Sequence, residues 1–198
     1  MNRPPLVLAS ASAARARLLR EAGVEFAVEP ADIDETTVKN SCRGGEPMAC
    51  AQALAAAKAR AISARHPDAL VIGADQILAA GGEWFDKPAD LAAARAQLRA
   101  LRGRTHSLAT SVCVCLGSAV RWRWGSEPRL TMRDFSDGFL DFYIAAEGEV
   151  LLGSVGAYRL EAVGAQLFSA VEGDQFAIQG LPLIELLAYL REAGALCS

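Results

Sequence analysis

The chain opens on a short apolar run, Leu6 to Ala9, followed at once by hydroxyls and a cation. Four apolar residues bounded by polar ones predict a short buried strand. Ser10 and Ser12 then offer N-caps, and a helix over Arg15 to Ala22 is expected to stop at Gly23. Pro47 to Arg65 reads as a long helix, because alanine loses little entropy on becoming helical, and His66-Pro67 ends it. Leu70 to Ala74 is continuously apolar, as in a central strand. Asp90 caps a further helix through Leu101, closed by Gly103.

Beyond Gly103 the period shortens to two. Ser107–Leu116 and Val120–Trp124 alternate around Gly117-Ser118, which predicts a β-hairpin. Leu130–Phe135 predicts another strand, and Ser136 caps a helix through Glu147. Gln166–Val171 reads as a late strand, Gly173-Asp174 as a turn, and Pro182–Glu192 as an amphipathic helix closed by Gly194. In the hairpin, period two puts Trp122 and Trp124 on one face and Arg121 and Arg123 on the other. A core-facing Trp pair with a solvated Arg face is expected there, in preference to a surface that stacks nucleic acid. Helices alternate with strands in the first half and strands gather in the middle. The fold class is therefore α/β, with a mixed sheet flanked by helices.

Composition narrows the function. With 198 residues and 52% hydrophobic positions, the chain is expected to form one domain over 1–198 that buries about 70% of its unfolded surface. A net charge of −3 is too balanced for a general nucleic-acid binder. The alanine-rich stretch from Met48 to Ala64 is interrupted by Gln52, Lys58, Arg60 and Ser63, so no membrane span is expected. The first apolar run is too short for a signal-peptide core. Five cysteines show no metal spacing and read as free thiols in a reducing cytosol.

Several places could carry chemistry. Ser10, Ser12 and Arg15 stand where a strand runs into a helix start, and free N–H groups there favour an anion; equally, Ser12 is a plain cap and Arg15 a solvated residue. Asp75 follows the apolar run Leu70 to Ala74, at the edge where α/β proteins place ligands, and can hold Mg²⁺ or take a proton from water; the alternative is a turn-forming Asp. Lys87, before Pro88, and Lys58, in the alanine helix, point either at a phosphate or at solvent. Asp32-Ile33-Asp34-Glu35 either shares a metal with Asp75 or is a solvated loop. No dinucleotide fingerprint or P-loop occurs.

The order of these features is more specific than any one of them. Leu8-Ala-Ser-x-Ser12 with Arg15 is followed by Asp34-Glu35, by Lys58 and by Gly73-Ala-Asp75-Gln76. Asp86-Lys87-Pro88, Leu101-Arg-Gly103-Arg-Thr-His106, Gly156-Ala-Tyr158 and Gly180-Leu-Pro-Leu183 come after. As a set, from about residue 6 to 193, they resemble the Maf family of nucleoside triphosphate pyrophosphatases. The resemblance implies an elongated two-lobed α/β fold related to the inosine triphosphate pyrophosphatase architecture. It implies a cytoplasmic, house-cleaning hydrolase that cleaves a nucleoside triphosphate to the monophosphate and diphosphate, with a divalent cation (Mg²⁺ or Mn²⁺), and forms a homodimer. By position it makes Asp75 the proton acceptor, Lys58 and Lys87 phosphate-directed lysines, Ser10, Ser12 and Arg15 part of the phosphate motif, and Glu35 a partner of Asp75 at the metal.

The chain departs from the family at three places. The first motif reads Ser12-Ala13-Ala14-Arg15 where the family has Ser-Pro-Arg-Arg or Ser-Pro-Trp-Arg. Gln76 stands where pyrimidine-type members carry Thr, and Glu161 stands in the late motif; both are similar to the 7-methyl-GTP-type subfamily. A carboxylate at 161 suits a guanine edge made donor-rich. The loss of the Pro and Arg supports a rival reading, a non-catalytic nucleotide-binding regulator of septum formation; a weaker rival is inosine-triphosphate-type hydrolysis on the same architecture.

Overall fold

The computed structural model describes residues 3–197. Its strands are β1 (Leu6–Leu8), β2 (Ala27–Val28), β3 (Leu70–Ala80), β4 (Glu83–Phe85), β5 (Thr105–Leu116), β6 (Ala119–Ser126), β7 (Arg129–Met132) and β8 (Phe168–Glu172). Its helices are α1 (Ala13–Glu21), α2 (Glu35–Ser41), α3 (Pro47–Ser63), α4 (Leu91–Leu101), α5 (Asp137–Glu147), α6 (Gln175–Ile178) and α7 (Leu183–Glu192). The strands form one sheet in the order β2-β1-β3-β5-β7-β8, with β4 added to β3 and β6 to β5. β1 runs parallel to β2 and β3, and the other pairs are antiparallel, so the sheet is mixed as expected.

The long strands β3 and β5 form the spine, in register from Val71↔Cys115 to Ala79↔Ser107. Their alternation serves two layers. On one face Ala55 and Ala59 of α3 pack against the sheet around Cys113 and Cys115. On the other face two cores lie end to end. Ile72, Ala74, Val112 and Val114 meet α1 and α7, while Leu78, Ala80 and Leu108 meet α4 and α5. Between them Gln76 faces Thr110 across the ladder, a polar seam in an apolar face. These two cores are the two lobes.

One edge of β3 is incomplete. β1 pairs with it only through Leu8↔Ile72, and β4 joins it only from Leu78↔Phe85. Residues 73–77 therefore have no strand beside them on that side.

Several expected boundaries move. β3 continues six residues past Ala74, so Asp75 lies inside a strand and not after one. The strand expected over Leu130–Phe135 stops at Met132, because the Arg133 N–H turns to the Leu167 carbonyl and Phe135 is buried in the second core. The hairpin turn is as expected: Gly117 and Ser118 both take positive φ, 56° and 66°, and the Ser63 hydroxyl accepts from the Ser118 N–H at 3.0 Å. The Trp pair is core-facing only in part. Trp122 is half-buried and stacks on Tyr189 of α7 at 5.0 Å, but Trp124 is 46% exposed, because β6 is an edge strand that α7 covers only in part. No helix among the described residues is long and apolar enough to cross a membrane.

Candidate active site

The open edge of β3 is where the sequence candidates meet. Ser10, Ser12, Arg15, Glu35 and Lys58 line a cleft of about 480 Å³, and so do Asp75, Gln76, Lys87 and Glu161. Because successive side chains alternate, Asp75 is on the α3 face of β3 and Gln76 on the opposite face. The missing strand lets one cleft reach both.

Arg15 fills part of that gap. Its Nη1 donates to the Ala74 carbonyl at 2.8 Å and to Ser10 Oγ at 3.1 Å, and its Nε donates to the Gly180 carbonyl at 2.8 Å. The guanidinium thus satisfies a backbone acceptor that a neighbouring strand would have taken. Burial pushes its pKa down, against the pull of Asp75 and Glu35. Ser12 caps α1, accepting from the Arg15 N–H at 3.4 Å, and Ser10 Oγ accepts from the Ser12 N–H at 3.2 Å. Ser12 is the expected cap, but Arg15 is buried and not solvated, and the turn it anchors lines the cleft.

Lys58 is placed by close packing. Ala51, Ala55 and Ala59 form a fully buried stripe on α3. A Cβ on Gly73 would stand 2.2 Å from the Ala55 carbonyl oxygen and 2.7 Å from the Ala59 nitrogen. Only glycine there lets the helix lie this close to the strand. One residue before Ala59, Lys58 is then driven into the cleft, 8% exposed. Its Nζ is 2.5 Å from Asp75 Oδ1 and 2.8 Å from Glu35 Oε1.

Glu35 reaches the cleft from the first turn of α2, which Asp34 caps by accepting from the Thr37 N–H at 3.0 Å. Burial works to raise the Glu35 pKa, but the Lys58 hydrogen bond and charge, with Lys39 and Lys87 behind, hold it below the ordinary value. The acidic run is therefore split, with Asp34 a cap and Glu35 in the site. Lys39 pairs with Asp86 and so ties α2 to the loop before Lys87. Lys87 is exposed and has no ion pair among the described residues. Partial burial lowers its pKa, and repulsion from Arg15 and Lys58 adds to this. No three His, Cys, Asp or Glu side chains gather into a metal cage among the described residues.

The far end of the cleft is built from loops. Tyr158 and Glu161 lie between the short 3₁₀ turns Val155–Ala157 and Val163–Leu167, in a segment held against the sheet where Gly156 takes φ 76°. A Cβ on Gly156 would meet Leu78 Cδ1 at 2.5 Å. His106, buried behind this wall, bonds the Tyr158 hydroxyl at 2.8 Å, and burial lowers its pKa to about 4. Gln76 Nε2 donates to Thr110 Oγ1 at 2.8 Å and to the Ala177 and Ile178 carbonyls at 2.9 and 3.2 Å.

A sequence model of the family described as "Maf-like protein" matches residues 5–193. The chain belongs to the Maf-like protein family. It is 51% identical over 193 residues to a protein of Granulibacter bethesdensis named nucleoside triphosphate pyrophosphatase, with 96% of this chain and 98% of that one covered. A protein of Paramagnetospirillum magneticum with the same name is also 51% identical, covering 96% and 99%. One from Brucella abortus, named 7-methyl-GTP pyrophosphatase, is 47% identical over 188 residues and 94% of each chain.

In this Maf-like chain, sequence reasoning missed Gln179, which lines the cleft, and Arg17, which bonds two of its lining residues. Glu161 is not a free carboxylate. Arg17 Nη2 donates to Glu161 Oε1 at 2.7 Å and to Gln179 Oε1 at 3.0 Å, and Arg159 Nε lies 3.7 Å from the same Glu161 oxygen. Burial raises the Glu161 pKa, but these cations outweigh it and keep the group ionised. Locally Arg17 reads as a solvated helix residue, and its partners are 144 and 162 positions away.

Proposed function

We propose that this chain is a nucleoside triphosphate pyrophosphatase that acts as a single catalytic unit over 1–198 and prefers a guanine base, in the manner of 7-methyl-GTP. The observation that carries the reaction is Lys58 held between Asp75 and Glu35 at the open edge of β3, with Arg15 and Lys87 lining the same cleft. An ammonium has three N–H groups. Two are directed at the carboxylates, which leaves the third for a phosphate oxygen. Attack of water on the α-phosphorus builds negative charge on the non-bridging oxygens and on the leaving diphosphate. Lys58, Lys87 and the cationic Arg15 are placed to stabilise it, and fixed charges in a desolvated site do this without reorganising. Asp75 orients the water and takes its proton. The α1 N-terminus, with Ser10 and Ser12, receives the outer phosphates.

Asp75 and Glu35 also suit Mg²⁺ or Mn²⁺, since such ions are commonly bound by one or two carboxylates plus substrate phosphates, and the second oxygen of each carboxylate lies outside the Lys58 pairs. When bound, the ion would neutralise phosphate charge at that position. At the other end, Gln76 and Glu161 face the base. Guanine offers N1–H and an exocyclic amine to acceptors there.

The test is diphosphate release from GTP, 7-methyl-GTP and UTP with Mg²⁺ or Mn²⁺, beside an Asp75→Asn control. The amide is nearly isosteric but cannot take a proton, so turnover is expected to fall by about 10²–10⁴ with the fold intact. Activity of Asp75→Asn within a few-fold of the unmodified protein would remove Asp75 from the mechanism.

A further inference from the structure

The base end contains a residue that neither the motifs nor the proposed reaction uses. Gln179 lines the cleft between Ile178 and Gly180, and shares Arg17 Nη2 with Glu161. Its amide orientation is determined by its neighbour: Arg17 Nη2 is a donor only, so the oxygen of Gln179 turns towards it, at 3.0 Å. The Nε2 group is thereby turned away and makes no hydrogen bond to the described residues. Gln76 is determined in the opposite sense. Its Nε2 is directed at Thr110 Oγ1 and two carbonyls, and reversing the amide would set oxygen against oxygen, so Oε1 is the atom it offers. Glu161 gives Oε1 to Arg17, which leaves Oε2 outside that pair.

The base end therefore offers two acceptors and one donor. The Watson–Crick edge of guanine carries the complement, two donors (N1–H and the 2-amine) and one acceptor (O6). Uracil, thymine and cytosine carry one donor and two acceptors, adenine one of each, and hypoxanthine lacks the second donor. Resting on the reaction proposed above, we propose that Gln179 is a third base-reading residue, its Nε2 donating to the 6-oxygen of a purine. Arg17 is the positioning residue that orients it and Glu161 together. Glu21, one turn along α1, lies 4.0 Å from Arg17 Nε and leaves Nη2 to the cleft wall.

The experiment compares three substrates: GTP, inosine triphosphate, which keeps the 6-oxygen and lacks the 2-amine, and 2-aminopurine riboside triphosphate, which lacks the 6-oxygen and has an acceptor N1 in place of N1–H. Gln179→Leu should lower kcat/KM on GTP and on inosine triphosphate by the same factor, about ten-fold, mainly through KM. The preference for GTP over 2-aminopurine riboside triphosphate should fall by that factor too. Arg17→Met should reproduce the pattern, and Arg17→Lys, which can still donate to both oxygens, should restore most of it. Thermal melts separate these effects from misfolding. Equal losses on all three substrates, or no loss on any, would overturn the proposal for Gln179 while the reaction itself stands. If the unmodified protein released no diphosphate from any of them, or if Asp75→Asn matched it, the reaction would fall instead.

Discussion

The two ends of the cleft are made from different materials. At the phosphate end, three charged groups stand on regular elements and Lys87 follows on the loop after β4. Lys58 is on a helix packed to within glycine distance of β3, Asp75 is inside a strand, and Glu35 is in a capped first turn. At the base end, Glu161 lies in the segment between two 3₁₀ turns and Gln179 at the C-terminal end of α6, and their orientation comes from one arginine on another element. Rigid placement suits charge that must meet a transition state common to every nucleotide. Loop placement suits a surface that differs between relatives. The lesson is a division of labour between the two ends: one gathers charge for the phosphates, and the other orients hydrogen-bonding groups, Gln76 from β3 and Glu161 and Gln179 from the loops.

The sharpest way to break this contrast is at Lys58. Lys58→Met should abolish detectable turnover on every base and destabilise the protein by roughly 3–5 kcal/mol, because it leaves Asp75 buried without its cation. A calorimetric melt and a diphosphate assay check both parts, and a stable, active Lys58→Met protein would show that the helix merely passes the site. Behind the base-end wall, His106 gives a pH signature. Its pKa falls from 6.5 to about 4 on burial, so the folded state favours the neutral ring. Its contribution is present above pH 6.5 and is lost as pH falls towards 4, roughly 3 kcal/mol in all. His106→Gln, which still bonds the Tyr158 hydroxyl, should flatten stability across that window in acid titrations followed by fluorescence; an unchanged slope would contradict the assignment.

The next two predictions separate the ends directly. Lys87→Ala should cut kcat/KM by about 10² on GTP and UTP alike, as for loss of one donor to a charge-developing state. The Lys87 pKa is lowered by burial and by Arg15 and Lys58, so activity should fall at alkaline pH earlier than for an ordinary lysine, and Lys87→Arg should move that limb upward. A base-dependent loss in Lys87→Ala would blur the two ends. Glu161→Gln should have the smallest effect, about ten-fold on GTP and 7-methyl-GTP and little on UTP, measured as a ratio of kcat/KM values. Equal losses on purines and pyrimidines would make Glu161 structural.

The contrast also explains what could be read along the chain. The α1, α3, α4, α5 and α7 helices, the hairpin and the mixed sheet follow from caps, periodicity and turn residues, which act locally. All nine candidate residues line one cleft, because motif order along a chain of known family carries tertiary information. The strand β2, the helix α2 and the 3₁₀ turns left no periodic trace, being too short for one. Asp75 read as post-strand because the apolar run ends at Ala74, yet pairing with β5 carries the strand onward through Gln76 and Ile77. Trp124 read as buried because alternation reports which face a residue takes and not whether that face is covered. Arg17 and Gln179 were illegible for a simpler reason: their meeting depends on packing between segments 162 positions apart.

The division of labour is tested most directly by a double-mutant cycle across the cleft. Lys87 and Glu161 share no ion pair or hydrogen bond, so their effects on GTP hydrolysis should be independent. The measurement is kcat/KM for GTP in the unmodified protein, Lys87→Ala, Glu161→Gln and the double variant. The account predicts a double loss equal to the product of the single losses, within about two-fold. A double variant no worse than Lys87→Ala alone would contradict it, and would mean that the base and the phosphates are read by one coupled unit.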